Sequence, residues 1–190
     1  MQTKMRNKMP NDTFIMIADG LFTSTVIYGL PVYGNVWLPE DSNTRFRSFT
    51  KEDSRRLQVI QNKVLRMKTN LPKSTATSEL INKSGDLSIN QLAAYHSLLV
   101  THKITRSNKP DYLAAKLKLR VPNGENVFPH RQSHTIPISG NLSISRSGFC
   151  HRAARIYNSL PIDLRSCDGP ATFKKAAKKW VKTNVPVKPP

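Results

Sequence analysis

Leu57, Ile60, Val64, Met67 and Leu71 recur at intervals of three and four, and Pro72 follows at once. That spacing puts five apolar side chains on one side of an α-helix and shows none of the alternation of a strand. Proline lacks the N–H that the next turn requires, so the helix stops there. A stripe of this kind must pack against something, and the chain repeats the pattern three times. Ile89, Leu92, Ala93, His96, Leu99, Val100 and Ile104 form a second stripe. Phe149, Ala153, Ile156 and Leu160 form a third, ended by Pro161, and Phe173, Ala176, Ala177 and Trp180 a fourth. The spacing predicts a mainly α fold, a bundle with basic C-terminal helices, and no internal repeat.

Punctuation residues set the expected boundaries. Residues 1–11 read as a disordered basic tail. Asn11 or Asp12 is the expected N-cap of a first helix ending near Leu30. Residues 21–38 carry no charge. Thr23, Ser24, Thr25, Asn35, two glycines and a proline make them a poor membrane span, so they are read as a buried helix ending near Gly29–Pro31 with an aromatic extension. Residues 38–50 read as a polar loop, after which Thr50 with Asp53 makes a capping box. Gly85 closes a short helix at 77–83, Asp86 or Ser88 caps the next, and Asp111 caps another. Residues 120–147 hold Pro, Gly and Ser with short β-branched alternations, fitting either a long loop or a short β-hairpin. Helices are expected again over about 148–160 and 170–183, where Pro170 suits a first turn. The expected division is 12–110 as one helical region and 111–190 as a basic C-terminal region.

Charge narrows the partners. Thirty Lys and Arg against twelve Asp and Glu give a net charge of +18 over 190 residues. The first 95 residues hold 13 basic and 8 acidic side chains, the last 95 hold 17 and 4. Such a chain attracts polyanions, nucleic acid or an anionic membrane surface. Arg55, Lys63 and Arg66 are expected opposite the 57–71 stripe, with Arg56 on its flank and Lys68 snorkelling at the apolar edge. Arg152 and Arg155 are expected off the apolar face of 149–160. Lys174, Lys175, Lys178, Lys179 and Lys182 take the polar side of the last helix. Alanine supplies half the apolar side of that helix, which suits packing against protein better than insertion into lipid. A merely solvated lysine face is the plainer alternative.

Catalytic signals are thin. No Asp-Asp pair offers the converging carboxylates of two-metal phosphoryl chemistry. Asp19 beside Gly20 reads as a capping or helix-breaking acid. His130 and His134 have zinc-compatible spacing, with Cys150, His151 and Cys167 downstream, but the usual CxxC partner is missing. Surface histidines and idle thiols are the simpler reading, with no metal or cofactor. Cys150 and His151 are sequence neighbours about 100° apart on a helix, which does not build a dyad. Two cysteines fit a reducing, intracellular compartment, cytoplasmic or nuclear. The polar PNDT after the basic start interrupts any signal-peptide apolar region. Tyr95, Tyr157 and Trp180 could stack on bases, though each lies on or near an apolar stripe, where core packing is the simpler reading.

Five stretches occur in a telling order: GLFTSTVIYGLPVYG, LQVIQNKVLRMKT, GDLSINQLAAYHSLL, SGFCHRAARIYNSLPIDLRS and TFKKAAKKWV. Together they resemble the C-terminal region of reverse transcriptases of non-LTR (LINE-type) retrotransposons, from about residue 12 onward. YNSLP ahead of the FK…KW helix is the sharpest piece. The resemblance implies an RNA-directed DNA polymerase's thumb and tail, with the palm and its catalytic aspartates upstream of what this chain contains. Residues 12–110 would be the helical thumb and 111–190 the basic segment, with Arg55, Lys63 and Arg66 toward phosphate. It also implies sequence-indifferent binding of RNA or DNA and no polymerase activity. Two alternatives stand beside it: a degenerate transposon remnant without selected activity, or a helical protein-interaction module. The apolar surface at 21–38, left uncovered, would favour self-association.

Overall fold

The computed structural model describes residues 10–41, 50–119, 134–138 and 148–188. Among them run eight α-helices: α1 (Asn11–Tyr33), α2 (Lys51–Thr69), α3 (Thr77–Ser84), α4 (Ile89–Ser107), α5 (Asp111–Lys116), α6 (Phe149–Asn158), α7 (Ile162–Arg165) and α8 (Pro170–Asn184). The described residues contain no strand. Residues 134–138 are a turn and extended chain, in which Ile136 is buried and exchanges two hydrogen bonds with the Asn158 carboxamide (2.8 and 2.9 Å). The rest of the expected loop or hairpin, and the tail at 1–9, lie outside the described residues.

Helix α4 is the axle, packing against α1, α2, α5, α6 and α8. Its composition explains this. Ala93 and Ala94 are both fully buried, as is Leu98, and Tyr95, Thr101 and His102 are buried around them. Small side chains let neighbouring helices approach on more than one side, so the helix has no single apolar face. Ser88 caps it, accepting from Gln91 N while Gln91 returns a bond to Ser88 N. Thr50 and Asp53 make the same reciprocal box on α2, as their spacing predicts. Around α4 the core gathers Leu30, Val36, Leu117, Ile156, Tyr157, Phe173, Ala177 and Val181. A fully buried aliphatic or aromatic side chain of this size contributes about 1.5–3 kcal/mol.

Two expectations are corrected here. The inward face of α2 is only in part the 57–71 stripe: Val64 is buried and Leu57 and Leu71 pack against the core from its edge, but the helix is rolled away from the rest. Ile60 is 47% exposed and Leu57 and Met67 are half-buried, while Ser54, Gln58, Gln61, Asn62, Val64 and Leu65 are buried. The helix is rolled because its amides have partners inside. Gln58 Oε1 accepts from Ile89 N (2.9 Å), Gln61 Nε2 donates to Leu87 O (2.8 Å), and Asn62 Nδ2 donates to Thr77 Oγ1 (2.9 Å). These amides satisfy backbone groups at the start of α4 that would otherwise be buried and unpaired. Nor is 21–38 a buried helix ending near Gly29–Pro31. Helix α1 continues through Pro31 to Tyr33, its N-cap is Pro10, and much of its apolar surface faces outward. Phe22, Val26 and Leu30 pack inward, whereas Met16, Leu21, Tyr28, Val32 and Tyr33 are all more than half exposed. One window of it, Asp12–Tyr33, is long and apolar enough to cross a membrane, at mean hydropathy 1.5 with 11% buried.

Beyond α1, the extended segment 34–38 is buried throughout, with Trp37 1% exposed. Asn90 on α4 holds it. Its carboxamide accepts from Trp37 N and donates to Trp37 O, and also donates to Pro186 O, each at 2.9 Å. Gln91 Nε2 donates to Val185 O (3.1 Å). One turn of α4 thus gathers α2, the 34–38 segment and the tail after α8.

Candidate nucleic-acid interface

Helix α8 sets out its charges by simple periodicity. Phe173, Ala177 and Val181, four apart, are fully buried against α4. His102 stacks on Phe173 (ring centroids 3.9 Å, interplanar 13°), with Tyr157 behind it. Val181 completes the seam that the sequence stripe ended at Trp180. The other sector carries Lys174, Lys175, Lys178, Lys179 and Lys182, all exposed. Rows four apart step about 6 Å along the axis. Among the described residues no carboxylate forms an ion pair with these five. Lys182 Nζ donates to Gly85 O (3.0 Å), which leaves its remaining donors outward.

Lys174 stands between two depressions. One, of about 560 Å³, is lined by Leu99, His102, Lys103, Arg106 and Phe173 among others. Lys103 is exposed, and it extends the cationic surface from α8 onto α4. Sequence reading missed Lys103, because clusters were sought within single helices and this one is made by two. The other depression, about 330 Å³, includes Asp19, Asp86, His96, Lys174 and Lys178. Burial, with Lys174 adding its positive charge, pushes the His96 imidazole below its usual range. Lys68, expected to snorkel, instead bridges Asp86 (2.9 Å) and Asp19 (3.3 Å), tying α1 to the turn before α4. Desolvation opposes its charge, but these two carboxylates outweigh it and raise its pKa.

The remaining candidates divide. Lys63 is exposed on the outer side of α2. Arg55 and Arg56 are exposed there too, but both bind Glu52: Arg55 through two bonds of 2.7 and 2.8 Å, Arg56 at 3.2 Å. Those arginines hold the Glu52 carboxyl down at about 2. Arg66 is half-buried and donates to Thr75 O (3.3 Å).

Arg152 and Arg155 overturn their expected placement off the packed face. Arg152 is 4% exposed and donates to Val32 O, and half-buried Arg155 donates to Val36 O. The reason is local. The Val32 carbonyl, in the last turn of α1, has no partner in a following turn, and the Arg152 guanidinium from α6 supplies one; Arg155 does the same for the carbonyl of Val36 in the extended segment beyond. These two arginines join α6 to the end of α1 and to the segment after it.

Among the described residues no three His, Cys, Asp or Glu side chains are placed to hold a metal ion, and His130 lies outside those residues. Cys150 and Cys167 are both free thiols, and burial raises the pKa of Cys150. Protein-family models, curated proteins and solved structures were all compared with this chain, and none matches it.

Proposed function

We propose that this chain is a non-catalytic module that grips the phosphate backbone of RNA or DNA through the lysine face of α8. The sequence similarity to the thumb and tail of LINE-type reverse transcriptases supports the same reading. The observation that carries it is the array itself: five exposed lysines, with no carboxylate partner among the described residues, opposite a sealed Phe173–Ala177–Val181 seam, with Lys103 alongside. Lys174/Lys178, Lys175/Lys179 and Lys178/Lys182 put like charges four apart, and each such pair destabilises an isolated helix by about 0.2–0.5 kcal/mol. Local rules broken at a surface without internal compensation mark a functional site. A phosphate chain relieves that repulsion. It binds by position and not by sequence, because backbone contacts carry no base information. Lys63 lies on a separate helix and adds to the general field, while Glu52 offsets one of the two charges of Arg55 and Arg56.

Fluorescence anisotropy against duplex DNA and single-stranded RNA over a salt series tests this. Each phosphate neutralised on duplex steepens log K against log salt by about 0.9. Reversing Lys174, Lys175, Lys178 and Lys179 to Glu should flatten that slope by roughly 3–4 and weaken all sequences alike. Arg152→Ala, if it folds, should leave the slope unchanged. Affinity indifferent to salt would remove the proposal.

A further inference from the structure

We infer that the depression between α4 and α8 receives one unstacked base of a single-stranded nucleic acid, whose flanking phosphates lie on Lys103 and Lys174. The inference rests on the phosphate grip proposed above and adds what sits between the phosphates.

Shape is the first support. The depression measures about 560 Å³, within the range of roughly 300–1,000 Å³ found for sites that take small organic molecules. Its bottom is the stacked pair of His102, 4% exposed, and Phe173, fully buried. The imidazole donates through Nε2 to Cys167 O (2.9 Å), which fixes the ring in that position. Above this floor, half-buried Leu99 and exposed Pro170 supply apolar wall. The aliphatic stems of Lys103 and Lys174 extend it, so a planar ring entering here meets hydrocarbon on its faces.

Charge is the second. Lys103 and Lys174 stand on the two helices that wall the depression, both exposed, and neither forms an ion pair among the described residues. Asp168 also lines it, but bonds Arg106 Nη1 at 2.6 Å, so that acid and that base offset each other. Two uncompensated cations thus frame an apolar centre. A nucleotide strand has the complementary order of phosphate, planar ring, phosphate. An acidic peptide has no rigid ring between its charges, and a duplex keeps its bases in the stack unless it is unpaired. The smaller depression on the other side of Lys174 fits less well, because Asp19 and Asp86 line it and would repel a phosphate.

Fluorescence anisotropy of the full chain with oligothymidylate, and with a strand of equal length whose bases are all replaced by abasic tetrahydrofuran units, tests this. The two strands carry the same phosphates and should share one salt slope, while the abasic strand binds at least about tenfold more weakly. Equal affinity overturns the inference and leaves the phosphate grip standing; affinity that ignores salt on both strands removes the grip and the inference together. Proton NMR at pH 8, above the lowered titration of both imidazoles, locates the base. His102 should shift with oligothymidylate and not with the abasic strand, whereas His96, in the other depression, should respond alike to both. The reverse pattern overturns the inference. Leu99→Ala, with unchanged circular dichroism, should narrow the gap between the two strands and leave the abasic affinity as it was; an unchanged gap counts against the site. Thymidine monophosphate or polyglutamate that moves His102 where oligothymidylate does not would make a free nucleotide or an acidic peptide the occupant, and either result overturns it.

Discussion

Gln58 engages three partners at once: it accepts from Ile89 N, and its Nε2 donates to Gln61 (2.8 Å) and Asn62 (3.0 Å). Gln58→Ala would leave the first N–H of α4 dry and unpaired, which costs about 1–3 kcal/mol. Ile60→Ala, two residues away on the outer side, should cost under about 0.5 kcal/mol. Urea denaturation of both variants reads the order directly, and a larger loss for Ile60→Ala would mean the helix is not rolled as described. Hydropathy ranks these two residues the other way round. Periodicity finds a helix from its apolar side chains, but cannot see that a glutamine has a backbone amide 31 positions on as its partner. The same blindness misplaced Arg152: guanidinium in a sequence suggests water or phosphate, and only the fold reveals the Val32 carbonyl beneath it.

At the level of whole elements, reading was easier where a rule acts within one turn. The Thr50–Asp53 capping box, the left-handed Gly85 after α3 (φ 73°) and the Pro170 start of α8 stand where their residue types place them, and of the two caps offered for α4 the structure uses Ser88, boxed by Gln91. The orientation of α1 was not legible, because hydropathy measures how apolar a helix is and not how much cover its neighbours can give. Helix α8 was legible on both faces, since four-residue spacing separates its lysines from Phe173 and Ala177 without outside help. It offers a prediction of opposed signs. Lys178→Glu turns two repulsive spacings, with Lys174 and Lys182, into attractive ones, and should stabilise the fold by a few tenths of a kcal/mol. It should weaken nucleic-acid binding at the same time. Thermal melting and anisotropy on one preparation check both, and tighter binding would exclude α8 from the interface.

Taken whole, the molecule is a set of helices around an axle whose imidazoles are kept neutral. Burial lowers the pKa of both His96 and His102. Lys174 adds to the effect at His96; at His102 the Cys167 carbonyl and Asp168 oppose it, while Arg106 reinforces it. Below the ordinary histidine value of 6.5, the unfolded chain therefore binds more protons than the folded one. Stability should fall as pH drops from about 6.5 toward the lowered folded values. Melting temperatures at pH 7.5 and 5.5 measure it, and an unchanged value would mean that these imidazoles protonate as freely inside the fold as outside. Polyanion bound at Lys174 should also lift the His96 titration, visible by proton NMR. The Asn90 carboxamide carries a different consequence, since it clasps Trp37 and Pro186 with one planar group. Distant lengths of chain thereby share one fastening. Proteolytic trimming back past Pro186 should quicken deuterium uptake at the Trp37 amide, so damage at one terminus is felt near the other.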